Sequence, residues 1–166
     1  MNNLPFVLIF IPFLFAWYLN FSATRLDRLH HRVETSWANL DAILQRRAAL
    51  ASQIAHLPEI DFASNLILTS AATQARSADI AARSEAESGL SEALRLLRDE
   101  SEFPHQYPEV FAEMDVITER LRTAIALHRE AVAATSARRR SLVIRVFRLA
   151  GKAPLPVTYP FEDDLL

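Results

Sequence analysis

Hydrophobic positions along this chain fall into two regimes. From Leu4 to Phe21 (LPFVLIFIPFLFAWYLNF) no residue is charged, and Arg25, Arg28 and Arg32 follow at once. Beyond Phe21 apolar residues recur at three- and four-residue steps, the period of one face of an α-helix. The first run, extended by Asn3, Ser22 and Ala23, reaches roughly the 20 residues that cross a bilayer core, and it predicts a transmembrane anchor over residues 1–23. Trp17 and Tyr18 stand near its C-terminal end, where amphipathic rings favour the membrane–water interface. Met1, Asn2 and Asn3 bring no side-chain charge, and Phe21-Ser22-Ala23 is a poor cleavage site, which argues against a removable signal peptide. Arginines flank only the C-terminal side. That bias predicts a single-pass protein of the cell membrane, with its N-terminus outside and its larger part in the cytoplasm.

The periodic regime predicts helices throughout. A first stripe, Leu26, Leu29, Val33, Trp37, Leu40, Leu44 and Ile54, runs to about His56 and stops before Pro58. A second helix opens at Asp61 or at Pro58-Glu59 and passes through Phe62, Leu66, Ala72, Ala75 and Ile80 to about Arg83. Ser84 with Glu87 has the spacing of a capping box and predicts a third helix from Glu85 to about Arg98. Phe103 to Pro108 reads as a rigid connector. A long fourth helix carries Val110, Met114, Ile117, Leu121, Ala124, His128 and Val132, and its pattern persists to Leu149, before Gly151, Pro154 and Pro156. Short connectors between long amphipathic helices predict antiparallel neighbours. The expected fold is all-α: the anchor, an up-and-down antiparallel helical bundle over 24–150, and a Pro-containing acidic tail over 151–166.

Composition narrows the chemistry. Cysteine is absent, which excludes disulfides, a thiolate nucleophile and a Cys-ligated zinc site. The two glycines, Gly89 and Gly151, cannot build a Gly-rich phosphate loop. Asp27 with His31, and His30 with Glu34, are i,i+4 pairs, but no third ligand stands at a diagnostic spacing, so no metal site is expected. No nucleophile, base and orienting group occur together, so no catalytic residue and no cofactor is expected. The expectation is a protein that is not an enzyme and has no small-molecule substrate.

One stretch carries a more specific signal: Arg32-Val33-Glu34, Trp37, Leu40-Asp41, Leu44, Arg46-Arg47 and Leu50. Together with the preceding apolar helix, it resembles the signature of the LemA family of bacterial membrane proteins. A weaker second match runs from Ala93-Leu94 through Glu102 to Tyr107-Pro108. The sequence departs from the family pattern at Leu50 to Ala55, which lacks the family's Pro and Asn, and at His128-Arg129, where Tyr-Asn would be expected. The resemblance implies a membrane-anchored bundle, non-enzymatic, serving as a scaffold or adaptor for an envelope or membrane-protease partner. On the residues alone, Trp37 is expected in the core and Asp41 in an interhelical pair with an arginine that fixes helix register. A polar groove for a peptide or lipid headgroup is the functional alternative.

Charge is unevenly laid out. From Glu59 to Asp115 there are twelve acidic and four basic residues, whereas Arg138, Arg139, Arg140, Arg145, Arg148 and Lys152 follow without an acid between them. Leu142, Val143, Ile144, Val146, Phe147 and Leu149 are interleaved with these cations. A basic amphipathic segment of this kind predicts contact with an anionic lipid bilayer, where each cation contributes about 1 kcal/mol. The basic patch is too small, and its aromatics too few, to predict nucleic-acid binding.

Overall fold

The structure, a computed structural model, describes the backbone of residues 4–100 and 103–147; side chains are described from Phe10 on, except at Glu100, Phe103, Leu142 and Val143. The described residues form helices and no strand. In chain order these are α1 (Leu4–Ala55), α2 (Phe62–Ser77), α3 (Arg83–Glu100), the single turn α4 (Phe103–Gln106), α5 (Pro108–Arg139) and the short α6 (Leu142–Val146). The described residues separate into two compact units: 4–36 with 129–147, and the described part of 37–128. α1 and α5 each contribute residues to both.

The second unit is an up-and-down arrangement of four helical segments. Ends of α1 and α2 meet where the Asn65 amide donates to the Ala55 carbonyl, and α2 finishes beside Gln45, which donates to the Arg76 carbonyl. α3 then runs parallel to α1, because Arg83 pairs with Asp41 and Glu87 with Arg47. α5 returns antiparallel to α1, with Glu113 on Arg46 and the His128 ring 5.8 Å from Trp37. Leu68, Ala72 and Ala75 of α2 meet Leu90, Ala93, Leu94 and Leu97 of α3 and Phe111, Met114 and Ile117 of α5 in one core. Leu40 and Leu44 pack with Leu121 and Ala124 in a second cluster, with Trp37 at its margin.

Local chemistry explains the helix ends. The Asp61 carboxylate caps α2 by accepting from the amides of Ala63 and Ser64 at 2.9 and 3.1 Å. Pro108 occupies the first position of α5, where its missing N–H costs nothing. The turn into α3 is built by Asp79, which accepts from the Ala82 amide at 2.9 Å. Ser84 lies inside α3 rather than at its cap, and Glu87 crosses to Arg47. The fourth helix does not persist to Leu149. α5 ends at Arg139, the Ser141 amide bonds back to Arg138, and the Ser141 carbonyl accepts from Arg145 to open α6.

The expected transmembrane anchor is corrected: among the described residues, no helix is long and apolar enough to cross a membrane. The expected span lies partly outside the described side chains. Arg25, Asp27 and Arg28 follow within two turns. The all-helical class and the bundle stand without the span. The tail over 151–166 lies outside the described residues.

Candidate functional site

In the first unit, Ser22 and Leu26 of α1 are buried together with Ala131, Val132 and Thr135 of α5 and Ile144 of α6. The Thr135 hydroxyl donates to the Ala131 carbonyl at 2.8 Å and also lies 3.3 Å from the Leu29 carbonyl, which fixes the level of one helix against the other. Arg32 pairs with Glu130 at 3.2 Å in the same antiparallel sense. Continuing that register brings Arg138 to the level of Arg25. A cleft of about 360 Å³ is lined by Arg25, Leu29, Ala134, Ala137, Arg138 and Ser141. A neighbouring cleft of about 410 Å³ is lined by Phe21, Thr24, Arg25, Arg28, Leu29 and Arg32. Neither lining includes a carboxylate.

Above this basic collar the helix surface turns apolar. Phe10, Ile11, Phe13, Leu14 and Phe15 are all exposed, Phe13 to 69%, and Trp17, itself 62% exposed, stacks on Phe21 at 6.0 Å. Phe147, after α6, meets Phe15 edge-on at 5.2 Å. Such a run of large exposed apolar side chains marks a surface that water does not favour. Trp17 and Tyr18 are both exposed, as a membrane contact requires. Arg138 and Arg139 are partly buried, Arg140 and Arg145 exposed. Arg148 and Lys152 lie outside the described residues. The break at Arg140–Ser141 means that these cations do not share one helix.

The motif residues take mainly structural places. Leu44 is buried, Val33 partly so, and Arg46 reaches the exposed Glu113 at 2.8 Å. Trp37 is half-buried, because it stands at the edge of its cluster beside an open cleft lined by Asp41, Ala78, Asp79, Ile80, Ala81 and Arg83. Asp41 forms an interhelical pair with Arg83 of α3 at 2.8 Å. The Arg83 guanidinium also donates to the Ala75 carbonyl at 2.9 Å, tying the end of α2 to α1 and α3.

Arg47 is the motif residue with the least ordinary surroundings. Its guanidinium donates to Glu87 at 3.1 Å and to the Ser91 hydroxyl at 2.9 Å, and the two charged side chains are only 4% and 3% exposed. Burial pushes the Glu87 carboxyl above its ordinary value, opposed by the charge and hydrogen bond of Arg47 and by the charge of Arg83, while Asp41 adds to the rise. Burial likewise pushes the Arg47 guanidinium down, against the attraction of Glu87. Glu87 was not foreseen, yet a signal exists. Arg83, Glu87, Leu90, Leu94 and Leu97 form one stripe of α3, and Leu40, Leu44, Arg47, Ala51 and Ile54 form one of α1. Opposite charges standing on two apolar stripes are a signature of a buried pair.

No family model, curated protein or solved structure matches this chain.

The second unit also carries a groove of about 930 Å³ between α3 and α5, lined among others by Arg47, Leu94, Arg98, Phe111, Met114 and Asp115. Arg98 lies over the Phe111 ring at 5.6 Å and pairs with Asp115 at 2.6 Å, so charge in the groove is largely compensated within it. Among the described residues no three His, Asp or Glu side chains gather in a way that would hold a metal ion.

Proposed function

We propose that this protein is a non-enzymatic module that docks on an anionic membrane surface through its first unit and presents its second unit to a protein partner. One observation carries the membrane part: the exposed apolar segment Phe10–Phe21 runs directly into the basic collar of Arg25, Arg28 and Arg138. Among the described residues none of those three arginines makes an ion pair. Apolar side chains that enter the acyl boundary and cations at headgroup level are the two terms that hold a helix in a membrane interface. The test is sedimentation of the full chain with vesicles of phosphatidylcholine alone and of phosphatidylcholine with an anionic lipid. Binding to anionic vesicles that weakens steeply with salt supports the proposal. Indifference to anionic vesicles at low salt overturns it.

A second reading, a protein adaptor without lipid contact, is favoured by the α3–α5 groove and by the outer face of α2, where Phe62, Leu66 and Ile67 are exposed. Its resemblance to LemA signatures supports an adaptor role in either case. Capture of a membrane or envelope protein by the full chain, with no vesicle binding, would select this second reading.

A further inference from the structure

We infer that the cleft between Arg25 and Arg138 is a binding site for a phosphomonoester, supplied by the headgroup of a lipid. The inference rests on the membrane reading above and names the chemistry of its ligand. Arg25 and Arg138 line the cleft from two antiparallel helices, and Ser141 lines it where α5 breaks before α6. Leu29, Ala134 and Ala137 complete the lining. Arg25 is shared with the neighbouring cleft, which adds Arg28 and Thr24. Asp27 stands between Arg25 and Arg28 in sequence but lines neither cleft, and Glu130 pairs with Arg32. Among the described residues no carboxylate pairs with Arg25, Arg28 or Arg138.

Among the described residues neither Arg25 nor Arg138 makes an ion pair, and planar guanidiniums match the geometry of phosphate oxygens with paired hydrogen bonds. A phosphomonoester carries a charge of about −1.5 to −2 near neutral pH, whereas a phosphodiester carries a single charge. Two arginines lining this cleft, with Arg28 lining the next, therefore favour the monoester, as in phosphatidate, over the diester of phosphatidylglycerol. The location favours a lipid over a soluble ligand. Arg25 lies one helical turn beyond Phe21, so the cleft meets headgroup phosphates when the apolar segment meets acyl chains.

The experiment compares binding of the full chain to phosphatidylcholine vesicles doped with phosphatidate or with phosphatidylglycerol, at matched surface charge. Binding about tenfold tighter to phosphatidate is expected, the difference one additional charge-assisted contact makes. Arg25→Gln with Arg138→Gln should weaken binding to both vesicles and abolish the preference, so that the variant binds phosphatidate no more tightly than phosphatidylglycerol. Arg25→Gln alone, at an exposed position, should narrow the preference with helicity unchanged, which separates loss of the site from loss of fold. Equal affinity for the two vesicles overturns the inference and leaves the membrane proposal standing; binding to neither overturns both. Inorganic phosphate that binds the chain without vesicles as tightly as phosphatidate does would show a soluble ligand and overturn the lipid source.

Discussion

Replacing Arg47 by methionine leaves the Glu87 carboxyl buried without its counter-charge. At 3.1 Å and an effective dielectric constant of ~20, the lost attraction is about 5 kcal/mol. The protein need not lose all of it, because the carboxyl can take up a proton instead. Protonating a carboxyl of ordinary value 4.5 at pH 7 costs about 3 kcal/mol, at about 1.4 kcal/mol per pH unit, and that caps the electrostatic part. The lost bond to Ser91 adds about 1 kcal/mol, and methionine refills much of the volume. The expected destabilisation is about 3–4 kcal/mol at pH 7, within the range for breaking a buried pair. Its pH dependence has a definite sign. Glu87 already sits above its ordinary value, and removing Arg47 takes away the largest influence holding it down. The folded state then binds a proton that the unfolded state has released, so stability falls as pH rises above about 4.5. At pH 5 the cost should shrink to about 1–2 kcal/mol. Urea unfolding followed by circular dichroism at 222 nm, at both pH values, measures it. Arg47→Met with Glu87→Leu should recover most of the loss, since apolar replacement of a buried pair is often neutral or better. A single-variant cost below about 1 kcal/mol at pH 7, or one that does not change with pH, would refute the reasoning.

Three further outcomes are expected from the same fold. Trp37→Ala should cost about 2 kcal/mol in urea unfolding, less than a fully buried tryptophan would, because one side of its ring faces the Asp79–Ala81 cleft. Gly89→Ala should stabilise the protein by about 1 kcal/mol, since the position is exposed in mid-helix and an added Cβ meets nothing within 4 Å. Asp61→Ala should lower the melting temperature by uncapping α2; Ser64 and Ala63 hold its carboxyl below the ordinary range, so this difference should vanish as pH falls and the wild-type carboxyl protonates.

Apolar period located the helix starts of the second unit to within a few residues but carried α2 through Ile80 to Arg83, where it ends at Ser77, and of the two openings the sequence offered for α2 the Asp61 cap is the one taken. What periodicity leaves open is who sits across the interface. Asp41 was legible as an interhelical residue, but its partner Arg83 is 42 residues away, and stripe spacing on α1 says nothing about it. Ser84-x-x-Glu87 has the same letters whether the carboxylate turns back to its own helix or crosses to another. The crossing wins here because Arg47, on a facing stripe, offers a full opposite charge in place of one backbone amide. Trp37 was placed in the core by its stripe, yet a stripe has ends, and a residue at the margin of a cluster is only half covered.

The basic segment shows the opposite limit. Counting charges treated residues 138–152 as one amphipathic helix, and a helix would distribute those cations around its axis. The break at Ser141 changes what they can do. It stops α5 at the level of Arg25, where the Thr135 contact to Leu29 and the Arg32–Glu130 pair have set the register. Arg138 therefore acts with an arginine that lies 113 positions earlier in the chain rather than with its own neighbours. Four consecutive polar residues, Arg138 to Ser141, do announce a change of direction, since a helix packed on one face rarely forgoes an apolar residue for a full turn. A diffuse basic tail would attract any anionic surface in proportion to its charge. Two arginines brought to one cleft by two helices instead select a ligand of particular charge and shape. Breaking the register while keeping every arginine separates these two behaviours. Thr135→Val with Glu130→Gln should preserve attraction to phosphatidylglycerol vesicles and erode the preference for phosphatidate; an undiminished preference would mean that charge alone, and not the cleft, does the binding.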